Sequence, residues 1–117
     1  MYFIANWKMF GSVKSVNSLN KVISYSKTKK LKANIIYCPP YTLIKSFVDK
    51  TKKSNIKIGA QDGPLEKTGS LTGSIAASNI SRFCDYVILG HSERRSKLDE
   101  TDEIVARKAT VTSDLGL

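Results

Sequence analysis

The chain has 117 residues, with 19 basic and 10 acidic side chains and two cysteines. This length suits one domain with a modest core, and two cysteines are too few for a disulfide-stabilised scaffold. An apolar share of 41% and a charged share of 25% argue against a disordered chain. No window approaches 18 apolar residues and the N-terminus lacks the pattern of a signal peptide, so we expect a cytoplasmic protein without a membrane span.

The strand and helix patterns alternate through the first half of the chain. Aromatic and β-branched residues predict a strand from Tyr2 to Met9, which ends at a glycine turn. Apolar residues spaced by three and four predict a helix from Val13 to Tyr25. A second strand from Ala33 to Cys38 ends at two prolines, and it is followed by a helix from Thr42 to Lys52 and a third strand from Ile56 to Ala60.

The same alternation continues in the second half. Residues 61–73 form a thirteen-residue polar loop, a length that is often functional in so small a domain. Acidic residues favour a helix N-terminus, which predicts a final helix from Asp102 to Asp114, capped by Thr101 or Asp102 and followed by Gly116. The elements between the loop and this helix are a helix from Ser74 to Arg82, a strand from Tyr86 to Leu89 and a short helix from Ser92 to Lys97.

Four strands that alternate with helices predict a parallel sheet with right-handed crossovers, an α/β fold built as one domain over residues 1–117. Side-chain alternation along the first strand places Ile4, Asn6 and Lys8 on one face of that sheet. Trp7 and Met9 are then expected on the opposite face, against the helices.

The lysines are concentrated in the first half of the chain. Residues 1–57 hold twelve lysines and one acid, Asp49, whereas residues 58–117 hold seven basic and nine acidic residues. Such asymmetry can mark a nucleic-acid surface. The runs Lys27 to Lys32 and Lys45 to Lys57 lack interleaved aromatic rings for base stacking. We therefore expect solvated surface rather than nucleic-acid binding, and a basic structural or nucleic-acid-binding module remains the alternative of another class.

Two motifs at the ends of predicted strands carry a family resemblance. Asn6-Trp7-Lys8-Met9 ends the first strand, and Gly90-His91-Ser92-Glu93-Arg94-Arg95 follows the fourth. With Gly59-Ala60-Gln61-Asp62 and the loop tip Thr72-Gly73, they resemble the triosephosphate isomerase family, in order along the whole chain. The resemblance implies a (β/α)₈ barrel, of which this chain holds four units: a truncated, half TIM barrel, (βα)₄.

The resemblance also implies residue roles. The family interconverts glyceraldehyde 3-phosphate and dihydroxyacetone phosphate in glycolysis, a proton transfer for which we expect neither cofactor nor metal. His91 matches the neutral electrophile that the family holds at a helix N-terminus. Lys8 matches the cation that stabilises negative charge on the substrate. Asn6 matches the neighbouring residue that helps to orient Lys8 and the substrate. Glu93 matches a buried structural carboxylate behind the site.

The sequence departs from the family pattern because residues that the reaction also requires do not occur in it. The general base lies in a motif of the type Tyr-Glu-Pro-Val-Trp, which these 117 residues lack, as they lack the phosphate-binding glycines. We therefore expect little or no activity from the chain alone, with a residually active isomerase or one half of a split enzyme as alternatives. In the family, the loop of Thr72 and Gly73 inserts into the partner subunit, but Ser74 replaces the glutamate that follows it.

A half-barrel has an inner sheet face and two strand edges without a partner. We expect Ile4, Val87 and Leu89 on that face, and open edges are templates for other chains. Uncovered apolar area costs several kcal/mol at roughly 25 cal/mol per Å². We therefore predict a homo-oligomer, a dimer or tetramer, formed by barrel closure, by stacked sheets or by the loop of Thr72 and Gly73.

Several other residues have structural explanations. Cys38 and Cys84 lie in or beside strands, and we expect buried free thiols. One of Arg94 and Arg95 is expected to pair with Glu93 or with an acid in residues 99–103. Glycines at the strand ends, Gly59 and Gly90, are expected to permit a close approach of the backbone rather than to bind phosphate.

Overall fold

A computed structural model describes residues 1–28 and 33–117, so Lys29, Lys30 and Lys32 of the first lysine run lie outside the described residues. The strands are β1 (Tyr2–Asn6), β2 (Asn34–Cys38), β3 (Ile56–Ala60) and β4 (Tyr86–Val87). The α-helices are α1 (Leu19–Thr28), α2 (Ile44–Thr51), α3 (Ala77–Ser81), α4 (Ser92–Lys97) and α5 (Asp102–Ser113). Short 3₁₀ helices, Val13–Ser18 and Tyr41–Leu43, lead into α1 and α2. No helix in the described ranges has the length and hydropathy to cross a bilayer.

The four strands form one curled parallel sheet in the order β1-β2-β3-β4. Asn6 lies opposite Cys38, and Ala60 lies opposite Val87, so the carboxyl ends of all four strands meet at one edge. With a helix after each strand, this arrangement confirms the predicted half of a TIM barrel.

Several element boundaries differ from the predictions. The helix predicted from Val13 to Tyr25 is a 3₁₀ helix, Val13–Ser18, followed by α1, which ends at Thr28. β1 ends at Asn6 rather than Met9, because Lys8 takes a left-handed backbone conformation with φ +53° that a strand cannot contain. β4 has two residues instead of four, since its partner β3 ends at Ala60. α3 starts only at Ala77, after an extended N-cap residue, Ala76.

The main core lies between the outer face of the sheet and the helices. Phe47 of α2 is fully buried, and its ring meets that of Trp7 edge-on at 4.9 Å. The other members are mostly aliphatic and come from helices and strands alike: Val16, Leu19, Leu43, Ile44, Ile58, Ala60, Ile80 and Cys84. This packing confirms the inward faces predicted for the first two helices. It leaves Met9 fully exposed, contrary to the prediction that Met9 faces the helices.

The inner face of the sheet differs from the prediction at β4. Val87 packs against the outer core, and Val87 and Leu89 both approach Gly63 beside α5, so neither lies on the inner face. The inward residue of β4 is Tyr86, which pairs across the sheet with Gly59. The prediction failed because β4 begins one residue out of phase with the alternation assumed for it.

An aromatic contact partly covers the inner face. The rings of Tyr2 on β1 and Tyr86 on β4 meet edge-on with centroids 6.4 Å apart. Between them on β2, Ile36 and Cys38 are buried, whereas Ile4 on β1 is 59% exposed. The uncovered apolar surface is therefore concentrated on β1, the outermost strand, rather than spread over the whole face.

A buried ion cluster joins α5 to the end of β3. Lys108 of α5 donates to both carboxylate oxygens of Asp62, each at 2.8 Å, and to Oε1 of Glu100. Arg94 of α4 contacts the same two carboxylates, Asp62 at 2.9 Å and Glu100 at 3.2 Å. Arg94 with Glu100, and Arg95 with Asp102, confirm the pairing predicted for the two arginines.

The cluster predicts an acid-sensitive stability. Burial by itself raises the pKa of the Glu100 carboxyl, but hydrogen bonds from Lys108 and Arg94 more than offset this, so its pKa lies below the ordinary value. A carboxyl with a lowered native pKa adds stability above its unfolded pKa of about 4.3 and loses it as the pH falls through the lower native value. Urea unfolding as a function of pH should therefore show a steeper loss below about pH 4.3 in the wild type than in Glu100→Gln.

The glutamine variant is the matched control, because it keeps the shape of the side chain and cannot titrate. The two proteins differ in no other ionisable group, so the difference between their profiles isolates Glu100. Parallel profiles from pH 7 to pH 3 would contradict the stabilising role assigned to the ionised Glu100.

Candidate active site

Side chains from β1, from the end of β3 and from α4 line one cavity of about 480 Å³ at the carboxyl ends of the strands. Asn6, Lys8, His91 and Glu93, the four site residues proposed from the sequence, all line it. They come from chain positions 85 residues apart, and the parallel register of the sheet is what brings them together. In α/β barrels, this end of the sheet is where the active sites lie.

Lys8 is held in a strained conformation. Its φ of +53° lies in the left-handed region, which a residue with a side chain rarely occupies. The Lys8 N–H donates to Oδ1 of Asn6 at 2.9 Å, and a turn from Phe10 N–H to the Trp7 carbonyl closes the segment. Trp7 is anchored by aromatic packing on Phe47. The bend turns the Lys8 side chain toward the cavity instead of along the strand.

The ammonium of Lys8 binds the carboxylate of Glu93. Nζ lies 2.6 Å from Oε1, and both side chains remain close to half exposed. Glu93 is therefore not the buried carboxylate expected from the resemblance, because its side chain is 43% exposed. The hydrogen bond from Lys8, supported by the positive charges nearby, lowers the pKa of Glu93 below its ordinary range.

His91 is the N-cap residue of α4. Its Nδ1 accepts the backbone N–H of Glu93 at 3.2 Å. When Nδ1 is an acceptor, the proton of the neutral imidazole resides on Nε2, which is free to donate to another group. The turn into α4 depends on Gly90, whose φ of +61° a side chain would strain. Gly59, in turn, lets β2 and β3 approach closely, since a Cβ there would lie 2.7 Å from Cys38 Sγ.

Polar residues that the sequence did not assign to the site complete the cavity wall. Asp62 and Arg94 form an ion pair there, and the Tyr41 hydroxyl donates to the Asp62 carbonyl. Gln61 donates through Nε2 to the Cys38 carbonyl at 2.8 Å, which links the ends of β2 and β3. Gln61 and Asp62 belong to a motif that is visible in the sequence, but their partners lie 21 to 46 residues away and follow from the fold alone.

Apolar side chains form the rim of the same cavity. Met9, Phe10 and Leu98 line it and are 95%, 75% and 61% exposed. No sequence pattern indicated this group, since Met9 was predicted in a strand and Leu98 in no element. The rim makes one side of the cavity mouth an uncovered apolar surface.

The loop tip of Thr72 and Gly73 lies apart from the four site residues. Both residues are exposed, and a Cβ on Gly73 would meet no atom within 4 Å. Leu71 beside them is 66% exposed. Within the described chain, the tip is therefore available for contact with another molecule.

The two cysteines are not part of this chemistry. Cys38 and Cys84 are buried free thiols, as predicted. Burial raises the pKa of the Cys38 thiol to about 11 and that of Cys84 to about 12, so both are protonated at neutral pH.

The arrangement suits a small anionic ligand that carries a carbonyl group. An ammonium group binds anionic oxygen atoms, and an imidazole N–H donates to a carbonyl oxygen on which negative charge develops. Both groups lie in one cavity, Lys8 directly after β1 and His91 at the N-cap of α4. The carboxylate of Glu93 binds the ammonium of Lys8 beside them.

Comparison with known proteins gives the same family throughout. A family model described as triosephosphate isomerase matches residues 1–117. The triosephosphate isomerase of Clostridium botulinum (strain ATCC 19397 / Type A) is 40% identical over 104 residues, which cover 88% of this chain and 42% of that protein. The triosephosphate isomerase of Ehrlichia chaffeensis is 38% identical over 100% of this chain and 49% of its own length.

A solved structure with a related sequence has the same fold. The crystal structure of triosephosphate isomerase from Bartonella henselae matches with a TM-score of 0.89 at 31% identity, over 99% of this chain and 47% of that one. The chain thus spans about half the length of the relatives it matches. With a family model that covers every residue, the chain belongs to the triosephosphate isomerase family.

Proposed function

We propose that this chain carries the substrate-polarising half of a triosephosphate isomerase site. The observation that supports it is the convergence of Asn6, Lys8, His91 and Glu93 on one cavity at the carboxyl ends of the strands. The substrates would be dihydroxyacetone phosphate and glyceraldehyde 3-phosphate, and the setting would be cytoplasmic glycolysis. No cofactor or metal enters this proposal.

Each side chain has a defined task in this proposal. The Lys8 ammonium leaves Glu93 and binds the anionic oxygens of the substrate. Nε2–H of His91 donates to the carbonyl oxygen and stabilises the charge that develops there. Asn6 holds the Lys8 backbone in its bent conformation through the 2.9 Å hydrogen bond, so that the ammonium reaches the ligand without a change in the backbone.

The chain by itself is inactive or nearly so in this proposal, because it lacks an effective base. Glu93 is the carboxylate nearest to His91, with Oε2 3.6 Å from Nδ1. Its pKa is lowered by Lys8, and a carboxylate of lowered pKa is a weaker base. The Tyr-Glu-Pro-Val-Trp motif and the phosphate-binding glycines do not occur in these 117 residues.

Ligand binding tests the assignment directly. Removing the ammonium in Lys8→Met should weaken the binding of dihydroxyacetone phosphate about tenfold or more, since a hydrogen bond to a charged group contributes about 1.5–3 kcal/mol. Lys21→Met on the outer helix α1 is the control for the loss of one positive charge. Titration calorimetry at low salt measures both, and equal affinities in the two variants would contradict the role of Lys8.

The same preparations test for turnover. The wild-type chain, made in a host without its own isomerase, should interconvert the triose phosphates no faster than His91→Ala. Turnover that disappears in His91→Ala would mean that the chain assembles a working site and that another group replaces the base. Binding without turnover is the combination that the proposal requires.

The chain is further proposed to form a homo-oligomer that covers its exposed apolar surface. Tyr2, Phe3 and Ile4 on β1 are each more than half exposed, on both faces of an edge strand. The cavity rim of Met9, Phe10 and Leu98 and the loop tip of Thr72 and Gly73 are also exposed. Two copies that pair along β1, or that insert the loop tip at the partner's rim, would bury these groups.

Sedimentation equilibrium tests the association. The wild type should have a mass above the 13.0 kDa of one chain. Ile4→Glu places a charge on the exposed face of β1 and should shift the protein toward the monomer, because burying an unpaired charge at an interface is costly. Ser24→Glu adds the same charge on an exposed position of α1 and should leave the mass unchanged.

Two results would contradict the association through β1. A monomeric wild type that binds no apolar dye would show that the exposed residues need no cover. An unchanged oligomer in Ile4→Glu would show that the copies associate through another surface.

A further inference from the structure

The helix α4 carries His91 at its N-cap and Glu93 in its first turn, yet it has no apolar anchor. It has six residues, and none of them is buried. A helix of this length is not stable by itself in water. The positions of His91 and Glu93 must therefore be fixed by contacts between α4 and other parts of the chain.

Three charged side chains make those contacts within the described residues. Glu93 pairs with Lys8, Arg95 pairs with Asp102 at 2.6 Å, and Arg94 pairs with Asp62 and Glu100. The first two pairs are open to solvent, since the Asp102 side chain is 87% exposed and Glu93 is 43% exposed. Exposed ion pairs contribute little in water and are screened by salt.

The contact of Arg94 is different because its partners are largely withdrawn from solvent. The Glu100 side chain is 3% exposed and the Asp62 side chain is 17% exposed, and Lys108, which binds both carboxylates, is 6% exposed. Oε1 of Glu100 accepts from Arg94 and from Lys108, whereas its Oε2 is buried and has no hydrogen-bond partner among the described residues. All the hydrogen bonding of this carboxylate is therefore directed at the two cations, and neither can leave without exposing an uncompensated buried charge.

We propose that Glu100 and Lys108 are positioning residues for His91 and Glu93, and that they act through Arg94. Lys108 lies on α5, 17 residues from His91 in the chain, and does not line the cavity. It holds Asp62 and Glu100 in the geometry that clamps the Arg94 guanidinium, and the clamp holds α4 against the end of β3. The two exposed ion pairs, Lys8 with Glu93 and Arg95 with Asp102, then contribute less to the position of α4 than the buried cluster does.

This inference rests on the proposed function in one respect, because the catalytic task of His91 comes from that function. The placement of α4 is a structural property, and it is measurable whether or not the chain binds a triose phosphate. His91 is also the single histidine of the sequence, so its imidazole signals in an NMR spectrum belong to one residue.

The test compares Lys108→Met with Arg107→Met in the full chain. Arg107 is the neighbouring cation on α5, and it has only an exposed contact of 3.7 Å with Glu66. Two quantities are measured: hydrogen exchange of the amides of Glu93 and of Leu98, the C-cap of α4, relative to that of Ile36 on β2, and the chemical shifts of the His91 imidazole protons at one fixed pH.

In Lys108→Met, the α4 amides should exchange at least about tenfold faster relative to the β2 amide, because the loss of one partner leaves a buried charge uncompensated. The imidazole chemical shifts of His91 should move toward those of a histidine in an unfolded peptide. Arg107→Met should change neither quantity. A residue that only stabilised the fold would accelerate exchange on α4 and β2 alike.

A second variant covers the case in which Lys108→Met does not fold. Asp62→Asn keeps the hydrogen-bond acceptor and removes one of the two charges that clamp Arg94. It should give a smaller acceleration that is again selective for α4. Uniform exchange along the chain with unchanged His91 imidazole shifts, in whichever variant folds, would overturn the proposal.

Discussion

The parallel register of the four strands is the constraint on which the rest of the structure depends. Each strand hydrogen-bonds its neighbour in sequence order, so every carboxyl end lies at the same edge of the sheet. This edge collects Lys8 after β1 and His91 after β4, although 82 residues separate them along the chain. The residues next to each of them in the sequence do not make a site. Lys8 and His91 form one because the strand register places both around one cavity.

The site combines local strain with electrostatic restraint. Lys8 has a left-handed backbone that costs free energy, and the packing of Trp7 on Phe47 keeps the segment in place. α4 has no buried residue and is held by ion pairs, of which one set is buried. A site of this kind has its charged groups oriented before a ligand arrives. It also depends on the ionisation of Glu100, which is far from the cavity centre.

Much of the fold was predictable because its signals are local. The apolar spacing in α2, the cap of Thr101 on α5 and the short helix Ser92–Lys97 all appear in consecutive residues, and the structure has them. The alternation of strands and helices was sufficient to infer a parallel sheet. The motifs at the ends of β1 and β4 then indicated which strand ends bear the site.

The wrong predictions concern features of the fold that contacts between distant residues determine. The phase of β4 is set by its pairing with β3, which puts Tyr86 and not Val87 on the inner face. The exposure of Glu93 follows from its partner Lys8, and the buried carboxylate is Glu100 instead. No local pattern reveals that Lys108, in the middle of α5, is buried between two carboxylates.

The central claim is that this half-barrel brings its two site-bearing strand ends into contact within one chain. A nuclear Overhauser measurement between the side chains of Lys8 and Glu93 tests it most directly, with a sample in which lysine and glutamate are labelled. The ion pair of 2.6 Å predicts a cross-peak between the Lys8 ε-protons and the Glu93 γ-protons. If no such cross-peak is seen while those between β1 and β2 are present, the strand ends do not meet and the account of the site is wrong.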